Sequence, residues 1–149
     1  MIRADGAARG NPGPASAGAV LIDADSAGSL ASDAPPIAVI ARPLGIRTNN
    51  VAEYSAVVLA LRKAHKLGAE EVDIRLDSKL VVEQLNGRWK MKNAGLMGLY
   101  REAQDLLRGF RRVSIKHEPR AMNHAADALA NLALDDPAAA ATLERDIGD

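Results

Sequence analysis

Four carboxylates, Asp5, Glu53, Asp77 and Asp127, fall where predicted elements begin or end. Singly, each has an ordinary reading. Asp5 precedes Gly6, a common turn pair. Glu53 follows Asn50 by three residues and could close a capping box. Asp77-Ser78 could be an N-cap, and Asp127 a solvated helix residue. Jointly they read differently. Asp5 ends the first predicted strand and Asp77 the fourth, and parallel neighbours would bring those ends together, where α/β sheets place their sites. Glu53 is expected in the first turn of its helix. Asp127 is expected one turn into the last helix, whose start Asn123 would cap. Carboxylates converging in this way repel and raise one another's pKa unless cations neutralise them. Hard oxygen ligands suit Mg²⁺ or Mn²⁺. Two such ions ~4 Å apart are the usual apparatus for in-line displacement at phosphorus.

The elements that position these groups read as follows. Ile2 to Asp5 is a short strand, and Gly6 to Pro14, rich in Gly and Pro, predicts a tight loop. Ala17 to Ile22 and Ile37 to Ala41 are strands joined by a long small-residue loop over Asp23 to Pro36. From Asn50 to Leu67 the period changes, with Val51, Tyr54, Val58 and Leu61 at helical spacing and Gly68 as the stop. A strand over Val72 to Leu76, a short helix to Leu85 and a helix over Leu96 to Leu107 follow. Val113 to Lys116 is the last strand, and Asn123 to Leu134 the last helix. The order βββαβααβα predicts an α/β fold, a mixed sheet with helices packed on it.

The chain has 149 residues, 48% hydrophobic and 26% charged, which predicts a single globular domain with its own core. Residues 1–136 read as that domain and 137–149 as an acidic, Ala-rich tail, helical or frayed. Aromatics are only 3%, so the core must be aliphatic. With no cysteine, thiolate zinc sites, iron–sulfur clusters, disulfide scaffolds and cysteine nucleophiles are excluded. No apolar run is long enough for a bilayer and no leader pattern opens the chain, so a cytoplasmic protein without membrane attachment is expected. The net charge is zero, but residues from 135 onward carry −4, which leaves +4 on the rest. That distribution is compatible with a nucleic-acid partner.

On these residues the chain resembles bacterial ribonuclease H of type 1, from Ile2 to about Leu134. The matching motifs are Asp5-Gly6-Ala7 with Gly10-Asn11-Pro12-Gly13-Pro14, then Thr48-Asn49-Asn50-Val51-Ala52-Glu53, Asp77-Ser78, and Asn123-His124-Ala125-Ala126-Asp127-Ala128-Leu129-Ala130. The stretches around Glu53 and after Asp77 look most like the actinobacterial branch. The resemblance implies a five-stranded mixed sheet, three antiparallel then two parallel strands, flanked by helices. It implies an endonuclease that hydrolyses the RNA strand of RNA–DNA hybrids with two Mg²⁺ ions (Mn²⁺ as a possible substitute), leaving 3′-hydroxyl and 5′-phosphate ends. Asp5, Glu53, Asp77 and Asp127 would be the metal-binding catalytic set. Asp5 would bridge, Glu53 and Asp77 would hold one ion, and Asp127 the other.

His117, ten residues before Asp127, has the offset of the family's active-site histidine, which assists proton transfer or product release. Its alternative is a surface loop residue, whereas His65 and His124 read as structural or solvent-exposed. By resemblance Asn11, Asn49 and Asn50, with the Ala8 backbone, would contact RNA 2′-hydroxyls, which distinguish a hybrid from duplex DNA. Thr48 would hold a DNA-strand phosphate, and Ser78 and Asn123 are further substrate candidates. Trp89 and Lys90, in Arg88-Trp89-Lys90-Met91-Lys92, could lie along a phosphate backbone or simply form a helix connection with a buried indole. Longer members carry an extra basic helix-and-loop protrusion here, and its absence implies weaker hybrid binding. The alternatives are the same fold acting also on double-stranded RNA, and a non-catalytic hybrid-binding module. A monomer without obligate protein partners is expected.

Overall fold

The computed structural model describes residues 1–148. Its centre is one five-stranded sheet of order β3-β2-β1-β4-β5. Strands β1 (Ile2–Ala8), β2 (Gly13–Leu21) and β3 (Ala38–Arg47) form the antiparallel meander, and β4 (Glu71–Leu76) and β5 (Arg112–His117) join parallel to β1. Five helices surround it: α1 (Asn49–Lys66), α2 (Lys79–Leu85), α3 (Ala94–Arg108), α4 (His124–Asp135) and α5 (Pro137–Asp146). A 3₁₀ turn over Arg120–Asn123 leads into α4.

The mixed sheet is as expected, but its first hairpin is longer than the sequence suggests. The predicted loop from Gly6 to Pro14 shrinks to residues 9–12. The β1–β2 ladder runs from Ile2↔Leu21 to Ala8↔Ala15, and Arg9 N–H donates to the Pro14 carbonyl at 2.8 Å. Asp5 therefore sits inside β1 rather than at its end. β3 also continues past Ala41 to Arg47. It tolerates Pro43 because it is an edge strand, and the register shift at Ala15/Ser16 leaves Leu44 without an opposite residue.

Gly6 and Gly18 show how the faces are assigned. A Cβ on Gly6 would lie 2.3 Å from the α1 backbone at Ala52 and Glu53, and one on Gly18 would lie 2.1 Å from the Ala126 carbonyl of α4. Thus α1 rests on one face and α4 on the other, each against a strand stripped of its side chain. The main core fills the α1 side with aliphatic residues from β1, β4 and helices α1–α3. Its one deeply buried tyrosine, Tyr54, donates its hydroxyl to Gln84 Oε1 at 2.6 Å. His65 stacks on Phe110 with ring centroids 4.0 Å apart, a structural role as expected, and His124 is exposed.

The opposite face is covered by α4, α5 and the 22–37 loop. The acidic, Ala-rich segment after residue 136, read from sequence as helical or frayed, is helical as α5. Asp136 caps it through Ala139 N–H, Ala140 is buried beside Ala41 and Ala133, and Glu144 pairs with Arg42 of β3 at 2.8 Å. No helix among the described residues is long and apolar enough to cross a membrane.

Candidate active site

The parallel β1–β4 ladder ends at Ala4↔Leu76, so Asp5 and Asp77 follow side by side. Asp5 pairs across β2 with Gly18, the glycine that abuts α4, and shares that face. Glu53 comes from the second turn of α1 rather than its first. Thr48 is the N-cap and accepts Val51 N–H at 3.2 Å, so neither Asn49 nor Asn50 caps and no Asn50–Glu53 capping box forms. Asp127 comes from the first turn of α4. Ligand oxygens of Asp5, Glu53 and Asp77 lie within 4.8 Å of one another, and Asp127 lines the same cleft.

These groups line an open cleft of about 510 Å³, together with Ala8, Asn49 and Ser78. Burial, then the charges of Asp77 and Glu53 and the contact with Asp127, push Asp5 up to about 8. Burial and Asp77 push Glu53 up to about 7, against the hydrogen bonds of Ser78 and Asn49 and the Arg120 charge. Four acids that together outnumber the two arginines of the cleft lining, Arg9 and Arg120, form a donor set suited to hard divalent ions, whose positive charge would relieve this repulsion.

A stability consequence follows. Metal-free folded protein holds protons on Asp5 and Glu53 that the unfolded chain releases. That contribution is complete below the ordinary carboxylate pKa and is lost as pH rises through about 7 and 8. In EDTA the melting temperature of the wild type is expected to fall relative to Asp5→Asn between roughly pH 5 and pH 8.5. A constant difference across that window would contradict the assignment.

The other sequence candidates divide. His117 is the last residue of β5, opposite Leu76, rather than part of the loop. Its Nε2 lies 3.2 Å from the Asp77 carbonyl. Asn11 Oδ1 accepts Asn49 N–H at 3.0 Å and ties the first hairpin to α1, while Asn49 Nδ2 lies 3.5 Å from Glu53 Oε1. Ser78 caps α2 by accepting Val81 N–H at 3.3 Å, and lines the cleft with Glu53. Asn50 is half-buried in the first turn of α1.

Asn123 is a correction. It makes no side-chain cap to α4 and is only 2% exposed. Its Nδ2 instead donates to the Ala4 carbonyl at 2.9 Å, beside Asp5. Trp89 is 45% exposed rather than buried, and with Lys90 it lies in the segment after α2, outside the cleft lining. Arg9, Arg120 and Asn131 line the cleft although the sequence reading passed over them. Asn131 had a signal: it stands one helical turn after Asp127. Arg9 and Arg120 had none beyond their charge.

A family model described as reverse transcriptase-like matches residues 3–133. The crystal structure of RNase H1 from Halobacterium salinarum superposes with a TM-score of 0.82 at 44% identity, covering 91% of this chain and 96% of that one. The chain belongs to the type 1 ribonuclease H family. Within it, the LC11-RNase H1 structure in complex with an RNA/DNA hybrid has a TM-score of 0.80 at 33% identity, over 91% of this chain and 96% of that one. A bifunctional protein of Mycobacterium tuberculosis is 48% identical over 146 residues. That match takes in 98% of this chain, which spans only 38% of the mycobacterial protein's length. The chain places its acidic cleft at the C-terminal edge of the parallel strands, the usual position for a site in such sheets.

Proposed function

We propose that the protein is a divalent-metal-dependent endonuclease that hydrolyses the RNA strand of RNA–DNA hybrids, leaving 3′-hydroxyl and 5′-phosphate ends. The observation that carries this reading is the convergence of Asp5, Glu53 and Asp77 oxygens within 4.8 Å, in a cleft that Asp127 also lines. The hybrid bound by the related LC11-RNase H1 supports the choice of substrate. In this reading Asp5, Glu53, Asp77 and Asp127 would together hold the divalent ions. Bound there, Mg²⁺ (or Mn²⁺) supplies positive charge that polarises water and phosphate and offsets the carboxylate repulsion.

The chain's own residues do the rest. A water oxygen bonds to phosphorus and gives up a proton, the P–O3′ bond breaks, and the leaving 3′-oxygen takes up a proton in its place. His117, outside the cleft lining but with its ring 3.2 Å from the Asp77 carbonyl, assists that proton transfer or the departure of product. Asn11 and Asn49, fixed to each other by their 3.0 Å hydrogen bond, read 2′-hydroxyls with Asn50 and the Ala8 backbone. Thr48 Oγ1 accepts the α1 cap bond, which leaves its hydrogen to donate to a DNA-strand phosphate. Ser78 steadies Glu53 and can face the scissile strand, while Trp89 and Lys90 meet the flank of the duplex. The protein would act in the cytoplasm as a monomer.

Asn49→Ala is expected to lower kcat/KM on hybrid by roughly tenfold, mostly through KM, the worth of about one hydrogen bond to substrate. The substrate itself is tested by incubating equal amounts of hybrid, duplex RNA, duplex DNA and single-stranded RNA with the protein in Mg²⁺. Cleavage confined to hybrid supports the reading. Cleavage of duplex RNA as well broadens the substrate and keeps the chemistry. Binding of hybrid without cleavage in Mg²⁺ or Mn²⁺ makes the protein a binding module instead.

A further inference from the structure

Arg3 heads the large side chains that are fully buried, with 1% exposure. A guanidinium taken out of water costs several kcal/mol unless its donors find acceptors. Here they do. Nε donates to Glu118 Oε1 at 2.8 Å, and Nη2 reaches Glu118 Oε2 at 3.4 Å and the Leu30 carbonyl at 3.0 Å. Nη1 donates to the Ala31 carbonyl at 2.9 Å. From the neighbouring strand Arg75 Nη1 reaches Glu118 Oε2 at 3.3 Å, while its Nη2 holds Asp73 at 3.0 Å. Two cations and two anions thus balance, and Glu118 is the anion both arginines share.

The placement of this network relates it to the cleft. Arg3 stands two residues before Asp5 and Arg75 two before Asp77, on the same sheet face as those acids. Glu118 follows His117 directly, and its backbone N–H donates to the Leu76 carbonyl at 2.8 Å. The β4–β5 ladder is therefore carried one residue past His117. Because successive strand side chains alternate, pinning Glu118 to the arginine face turns His117 to the other. The His117 ring is itself exposed, with one 3.2 Å hydrogen bond to the Asp77 carbonyl and the Glu83 carboxylate nearby. Such a ring takes its position from the backbone beneath it.

We propose that Glu118, clamped between Arg3 and Arg75, is a positioning residue that sets the His117 ring against the Asp77 backbone. The inference rests on the role given to His117 above. A buried ion pair is weak evidence for a purely stabilising role, since apolar pairs of similar volume often serve stability as well. What an apolar pair lacks is the directional hold on Glu118.

The test is a double-mutant cycle on hybrid cleavage. His117→Ala is expected to lower kcat by roughly a hundredfold. Glu118→Gln is expected to lower kcat by about tenfold with KM within about twofold. The two together are expected to be no slower than His117→Ala alone. Multiplying effects, an unchanged kcat in Glu118→Gln, or full activity in His117→Ala would each overturn the proposal. Imidazole ¹⁵N spectra give a readout independent of turnover. His117 resonances, assigned from their loss in His117→Ala, should shift or broaden in Glu118→Gln, and superimposable spectra would overturn it. If Glu118→Gln does not fold, Arg3→Met/Glu118→Leu takes its place, with a recovered melting temperature but the same low kcat and displaced resonances. Recovery of kcat along with stability would again refute it. Wild type inert on hybrid removes the nuclease reading, and the spectra still decide the positioning.

Discussion

Asp5→Asn is expected to lower hybrid cleavage by roughly a thousandfold, the scale of removing one preorganised electrostatic group. The same change is expected to raise the stability of the metal-free protein. Asp5 is 6% exposed and lies against three other acids, and burial with their charges holds its pKa at about 8. An amide in its place has no charge to desolvate or repel, so the metal-free variant should gain roughly 2 kcal/mol at pH 8. Added Mg²⁺ should raise the wild-type melting temperature more than that of the variant, because binding to the folded state stabilises it by mass action. Denaturant titrations in EDTA and in Mg²⁺ measure both effects. A variant that is less stable than wild type in EDTA would mean that Asp5 serves the fold rather than a cation.

The second large effect is steric. Gly6→Ala would put a methyl group 2.3 Å from backbone atoms of Ala52 and Glu53, which cannot swing aside as a side chain can. Either β1 or α1 must shift, and both carry site carboxylates. The expected cost is about 3 kcal/mol, at the upper end for overpacking. Activity should fall more than tenfold even where the protein remains folded, since a displacement of about 1 Å at reacting groups is enough. Gly98→Ala in α3 is the control. Nothing lies within 4 Å of its added methyl, and helix propensity favours alanine by up to about 1 kcal/mol. Equal behaviour of the two variants would show that Gly6 is not set by the approach of α1.

The acids were legible in the sequence because their placement follows from periodicity. Asp77 sits at the end of an alternating strand, and Asp127 on a helix with a recognisable start. The exact seats were less legible. The Gly- and Pro-rich run from Gly6 to Pro14 has the composition of a loop. Residues 6–8 nevertheless pair with β2 and residues 13–14 with β3, and Gly6 is glycine because α1 presses on it, a tertiary reason invisible locally. Asn49 and Asn50 look like caps, yet Thr48 takes that place and frees Asn49 for Glu53 and Asn11.

Asn123 has the residue type of a cap or a substrate contact, but its burial against β1 depends on how α4 crosses the sheet. α5 was obscured because its contact face is alanine among alanines, which carries almost no hydrophobic contrast. Arg3–Glu118 spans 115 residues of sequence and is set by strand order alone.

The most direct measurement is cleavage of an end-labelled RNA–DNA hybrid by the wild type beside Asp77→Asn, in Mg²⁺ and with product ends mapped. The expected result is RNA-strand cleavage by the wild type, giving 3′-hydroxyl and 5′-phosphate ends, and none detectable from folded Asp77→Asn. Cleavage that survives Asp77→Asn, or a folded wild type that leaves the hybrid intact in both Mg²⁺ and Mn²⁺, would contradict the assignment of this acidic cleft as a nuclease site.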